Sequence, residues 1–87
     1  MKPSIAMTMV TLLQEHQRNS VWYGDLDLLE SCASRCGLKY SHPKKMIKAI
    51  LDGLDSSDYF EKRYIKSDFS GYKRQYRCFI LKNNILI

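Results

Sequence analysis

Lys44, Lys45 and Lys48 recur with Ser41 and Asp52 at intervals of three or four residues. At helical spacing these side chains share one exposed face, while Ile47, Ile50, Leu51 and Leu54 form the opposite, apolar stripe. A row of ammonium groups holds anionic oxygens as point charges and discriminates less sharply than the fork of arginine. The plainer reading is the solvated side of an amphipathic helix. Further on, Lys62, Arg63, Lys66, Lys73, Arg74 and Arg77 are interleaved with Tyr59, Tyr64, Tyr72 and Tyr76. Such a mixture can grip phosphates and stack on planar rings. Alternatively the tyrosines, Tyr64 and Tyr76 above all, pack a hairpin against helices. Only its tip, with Lys66, Lys73 and Arg74, then carries charge outward.

Other chemistry finds less support. Cys32 and Cys36 share a helix face and, with Cys78 and His42, could complete a tetrahedral metal site. The spacing is not that of a zinc finger or ribbon, and cysteine is a common core residue. Buried free thiols, with no metal and no cofactor, are therefore the expectation. An odd cysteine number and a first segment without a small-residue cleavage site fit a reducing, cytoplasmic setting. That segment is also too short to span a bilayer, so no membrane partner is expected. No glycine-rich phosphate loop and no carboxylate pair at telling spacing is present, and neither His16 nor His42 has an evident nucleophile beside it. No catalytic residue is assigned and the chain is not expected to be an enzyme.

The formal net charge is +5 over 87 residues, and it is unevenly placed. Residues 1–36 hold three basic against four acidic side chains, whereas residues 37–87 hold eleven against five. One half of the chain thus carries the whole positive balance, which suits a polyanionic partner. A solvated basic surface that maintains solubility is the alternative.

The elements that must position these residues can be read from punctuation. A first helix is predicted from Ser4 or Ile5 to about Gln17, with Ile5, Met9, Leu12, Leu13 and His16 on its apolar face. Val21-Trp22-Tyr23, closed by Gly24, predicts a short strand. A second helix follows, its start marked by an Asp27/Glu30 capping box with Asp25 as a competing cap. Its apolar face is Leu28, Leu29, Cys32, Ala33 and Cys36, and Gly37 is its stop. The third helix has Ser41 as N-cap and Pro43 in its first turn, and Asp55–Asp58 end it. Tyr59–Lys66 and Tyr72–Lys82 then read as two strands joined by a turn at Asp68–Gly71. Residues 83–87 carry no clear signal. The expected fold class is α+β, a single domain over 1–87 with its core in about 5–82: three helices followed by a two-stranded β-hairpin.

This order resembles a winged-helix (winged helix-turn-helix) DNA-binding domain over nearly the whole chain. More loosely, residues 18–81 are similar to small CaiF/GrlA-type transcription activators, with Trp22 between helices one and two and Cys78 in a basic final strand. The resemblance implies a small transcriptional regulator that binds double-stranded DNA, nucleoid-associated if the source is prokaryotic. Helix three would lie in the major groove, presenting Ser41, His42, Lys44, Lys45 and Lys48. The hairpin, or wing, would add Lys66, Lys73, Arg74 and Arg77 on the backbone. Pairing as a homodimer through helix one or the tail is a further expectation. Winged helices also serve as protein-interaction modules, so a protein partner, for instance one capped by a small phage-type inhibitor, is the alternative. An unbroken positive surface over helix three and the hairpin tip would favour DNA. Interruption by Asp52, Asp55, Asp58 and Glu61 would favour a protein.

Overall fold

The computed structural model describes residues 4–67 and 74–82. Along the chain run α1 (Ile5–Glu15), β1 (Ser20–Trp22), α2 (Leu26–Arg35), α3 (Pro43–Asp55), β2 (Phe60–Ser67) and β3 (Arg74–Leu81). The class is α+β, as expected, but the hairpin does not stand alone. β1 joins it, giving a three-stranded antiparallel sheet in the order β1-β3-β2. Val21 lies opposite Phe79 and Trp22 opposite Cys78, while β2 and β3 pair from Phe60–Leu81 out to Ser67–Arg74. The expected turn at Asp68–Gly71, Tyr72, Lys73 and residues 83–87 lie outside the described residues.

Local chemistry explains the helix ends. Ser4 caps α1, its hydroxyl accepting from the Met7 N–H at 3.0 Å. α1 stops two residues short of the expected Gln17, which itself takes a left-handed φ of 55°. The Gln17 N–H then donates to the Gln14 carbonyl and the Arg18 N–H to that of Leu13. These two bonds make a Schellman closure. α2 ends in the same way: Gly37, with φ 70°, donates to Ser34, and Leu38 donates to Ala33. His16, placed on the apolar face by spacing alone, is exposed as the C-cap residue of α1, because the chain turns away at that point.

Neither α2 nor α3 starts on a side-chain cap bond. Asp25, not Asp27, precedes α2, and its side chain makes no capping bond. The carboxylate instead accepts from both terminal guanidinium nitrogens of Arg18, Nη1 and Nη2, at 3.2 and 2.9 Å, and from the Trp22 N–H at 3.0 Å. The Asp27/Glu30 capping box is therefore not used, and Asp27 lies in the first turn. α3 begins one residue later than expected: His42 is the N-cap, without a side-chain bond, and Pro43 opens the helix. With its φ preset and no N–H to satisfy, Pro43 starts the helix without a hydroxyl cap at Ser41.

The core lies between the three helices and one face of the sheet. Met9, Leu13, Leu29, Cys32, Ile50, Leu54, Val21 and Phe79 are fully buried. On α3, Met46 joins the expected Ile47, Ile50, Leu51 and Leu54 in the buried stripe. Strand alternation puts Phe60, Lys62, Tyr64 and Lys66 on the face shared with Leu81, Phe79 and Arg77. Burial falls off along that face, from Phe60 at 5% exposure to Tyr64 at 59%. Tyr64, expected to pack the hairpin onto helices, is therefore exposed, since the helices do not reach its end of the hairpin. Tyr76 is half-buried, its ring centroid 5.7 Å from that of Trp22 and 5.3 Å from that of Tyr23.

Candidate nucleic-acid interface

α3 and the Leu38–His42 segment before it form the exposed basic edge. The apolar stripe Met46, Ile47, Ile50, Leu51 and Leu54 anchors the helix in the core, so spacing alone forces Lys44, Lys45 and Lys48 outward. Ser41, His42, Lys44, Lys45 and Lys48 are all exposed. The His42 carbonyl already accepts from the N–H groups of Lys45 and Met46, at 3.1 and 3.2 Å. Among the described residues, Lys44 and Lys45 enter no ion pair.

The remaining cations of the expected set are placed differently. Lys48 Nζ lies 2.7 Å from Asp52 Oδ2, one helical turn on. Arg77 Nη1, from β3, lies 2.8 Å from the other oxygen of the same carboxylate and 3.9 Å from Asp55. Asp55 also receives Lys62 at 3.4 Å, and Arg63 sits 3.4 Å from Glu61. The Lys48 ammonium, then the Arg77 guanidinium, hold the Asp52 carboxyl below the usual carboxylate range. Asp55 in turn holds the Lys62 ammonium above its ordinary value. Lys66 and Arg74 lie exposed at the far end of the described hairpin, on opposite faces by alternation. Lys73 lies outside the described residues. The structure thus brings Lys44, Lys48 and Arg77 around one shallow groove of about 210 Å³ between α3 and β3, together with Gln75 and Tyr76. Lys66 and Arg74 do not line it. Of the four interrupting carboxylates, Asp52, Asp55 and Glu61 hold basic partners.

A second groove, of about 640 Å³, opens beside the start of α3, walled by Tyr23, Leu26, Pro43 and Ile47 and edged by Lys44 and Lys45. Tyr23 and Leu26 were not among the sequence candidates. Leu26 is 44% exposed, and a signal for it existed: it precedes and stands off the apolar face that begins at Leu28. The metal alternative gathers no geometry. Cys32 Sγ lies 3.5 Å from the Ile5 carbonyl oxygen, and Cys36 Sγ lies 3.4 Å from Thr8 Oγ1, both against α1. Cys78 lies across the sheet from Phe79, on the face away from the core. Among the described residues no cluster of three or more His, Cys, Asp or Glu side chains could hold a metal ion, and no helix is long and apolar enough to cross a membrane. Comparison with protein-family models, curated proteins and solved structures finds no match to this chain.

Proposed function

We propose that this chain is a winged-helix domain that binds double-stranded DNA, as a small transcriptional regulator, through the N-terminal half of α3. The observation that carries the reading is the pair Lys44 and Lys45, exposed and without acidic partners among the described residues, at the start of the second helix of a helix–turn–helix. The element order and the sheet order β1-β3-β2 support the winged-helix assignment. The helix N-terminus adds a partial positive charge to the same spot. Lys44 and Lys45 take phosphates or base edges there, with Ser41 and His42 alongside. Lys39 and Lys66 extend the basic surface.

Anisotropy titration of random-sequence duplex at several salt concentrations tests this. Four phosphate contacts give log affinity against log salt a slope of roughly −3 to −4. The double variant Lys44→Ala/Lys45→Ala loses two contacts, which at about 0.1 M salt is a fall of roughly 50-fold. Its unfolding free energy stays within about 0.5 kcal/mol of the parent, since exposed charges contribute little to folding. No binding to any duplex at low salt, or full binding by the folded double variant, overturns the proposal.

A second reading rests on the apolar groove. Tyr23, Leu26 and Pro43 beside two lysines suit an acidic protein segment with an apolar anchor, and the interruption of the basic surface by Asp52 and Asp55 points the same way. Leu26→Ala separates the two readings. It leaves the salt slope for duplex unchanged if DNA is the partner, because leucine releases no counterion.

A further inference from the structure

The carboxylate of Asp52 sits between two cations that the proposed DNA contact would otherwise use. On α3, Lys44, Lys48 and Asp52 follow one another at intervals of four, on one exposed face. Asp52 accepts from Lys48 at 2.7 Å and from Arg77 at 2.8 Å, so it links the helix to the central strand. Through Arg77 and Asp55 the series continues to Lys62 on β2. Three cations and two carboxylates thus alternate across the sheet side of α3, and only one net positive charge is presented there.

These pairs are poorly explained as stabilising devices. The Lys48 side chain is 75% exposed and that of Asp52 46% exposed, and a solvent-screened pair of this kind adds little to folding; the Arg77 side chain, 26% exposed, is better covered, so its pair with Asp52 also ties α3 to β3. Their larger effect is on the field outside the molecule. A phosphate approaching Lys48 or Arg77 meets the Asp52 charge within 3 Å of each cation. Contacts to phosphate raise affinity for every sequence alike and carry no base information. A carboxylate that occupies two phosphate ligands therefore lowers sequence-blind binding, while Lys44 and Lys45, one turn nearer the start of α3, remain available.

Resting on the DNA reading above, we infer that Asp52 is a specificity-determining residue: by holding Lys48 and Arg77 it restrains non-specific DNA binding and confines contact to the start of α3. Asp52→Asn keeps the size and the hydrogen-bond acceptor but removes the charge. Each cation released to a phosphate adds about 0.9 to the magnitude of the salt slope, roughly an 8-fold gain at 0.1 M salt. Asp58, exposed in the turn after α3, provides the control, because Asp58→Asn alters net charge equally.

The experiment measures wild type, Asp52→Asn, Asp52→Ala and Asp58→Asn against random-sequence duplex and against a duplex selected for tight binding. Circular dichroism and urea midpoints establish that each is folded. Both Asp52 variants are expected to bind random duplex roughly 8-fold or more tightly, with a salt slope steeper by about 1 to 2. Their preference for the selected duplex over random duplex falls, an unchanged preference counting against the inference, and Asp58→Asn shifts affinity less than about twofold. Folded Asp52 variants that bind random duplex no better than wild type overturn the inference and leave the DNA reading standing. An equal gain from Asp58→Asn also overturns it, because net charge alone then accounts for the effect. If neither wild type nor any variant binds duplex at low salt, the DNA reading falls and this inference with it.

Discussion

Cys32 shows what one buried group does to the stability of the whole chain. It is fully enclosed against α1, and loss of solvation, with Cys36 close by, pushes its thiol from an ordinary value near 9 up to about 12. The folded protein therefore keeps a proton that the unfolded chain gives up near pH 9. The contribution to stability is complete below that pH and is lost as pH rises towards 12. Urea midpoints should fall between about pH 8 and about pH 10.5, and Cys32→Ala should show a flatter dependence over that range. A dependence identical in the variant would assign the alkaline loss to other groups. The burial of Cys32 and Cys36 was legible in the sequence, because both repeat at helical spacing with Leu28, Leu29 and Ala33. The exposure of His16 and Tyr64 was not. Spacing gives the side of an element but not how far the neighbouring element extends to cover it.

The Schellman closures after α1 and α2 set the same backbone bonds on two different residues, Gln17 and Gly37. A side chain at positive φ costs roughly 1 kcal/mol that glycine avoids. Gln17→Gly should therefore stabilise the protein by about 0.5–1 kcal/mol, and Gly37→Ala should destabilise it by about 1 kcal/mol. Opposite shifts in the urea midpoint at constant slope would bear this out, whereas a loss from Gln17→Gly would contradict it. The sequence announced the Gly37 stop through its glycine but gave no sign of the Gln17 turn. Of the two caps it offered for α2, the Asp27 capping box is not used and the competing Asp25 holds the position, and the cap of α3 falls at His42, one residue past the expected Ser41. A capping motif is local, whereas Asp25 is claimed by Arg18 seven residues earlier and α3 starts on the fixed φ of Pro43.

At the scale of the molecule, the charge asymmetry that first pointed to a polyanion survives only in part. Spacing along α3 was enough to put Lys44, Lys45 and Lys48 on the outer face. The Lys48–Asp52 pair follows from i,i+4 spacing, but the pairing of Arg77 with the same carboxylate depends on β3 lying beside α3, and no local pattern carries that. For the same reason the sequence showed a short strand at Val21-Trp22-Tyr23, which the structure sets one residue earlier at Ser20–Trp22, without showing its partner. The apolar groove at Leu26 was hidden because it needs the start of α2 beside the start of α3.

The central place of β3 in the sheet has a temporal consequence. Val21 meets Phe79 across about two thirds of the chain, and Phe79 is fully buried among residues supplied mostly by the earlier elements. The three described helices are joined locally and can begin to form early, but closure of the core waits on β3, which follows them in the chain, across a long loop whose entropy must be offset first. A chain ended after Ser67 should therefore show no cooperative thermal transition by circular dichroism, even though it retains all three helical segments and one whole strand of the hairpin. During synthesis the helices emerge with their apolar faces uncovered until β3 arrives. A sharp transition in the shortened chain would show instead that the helices alone are a stable unit.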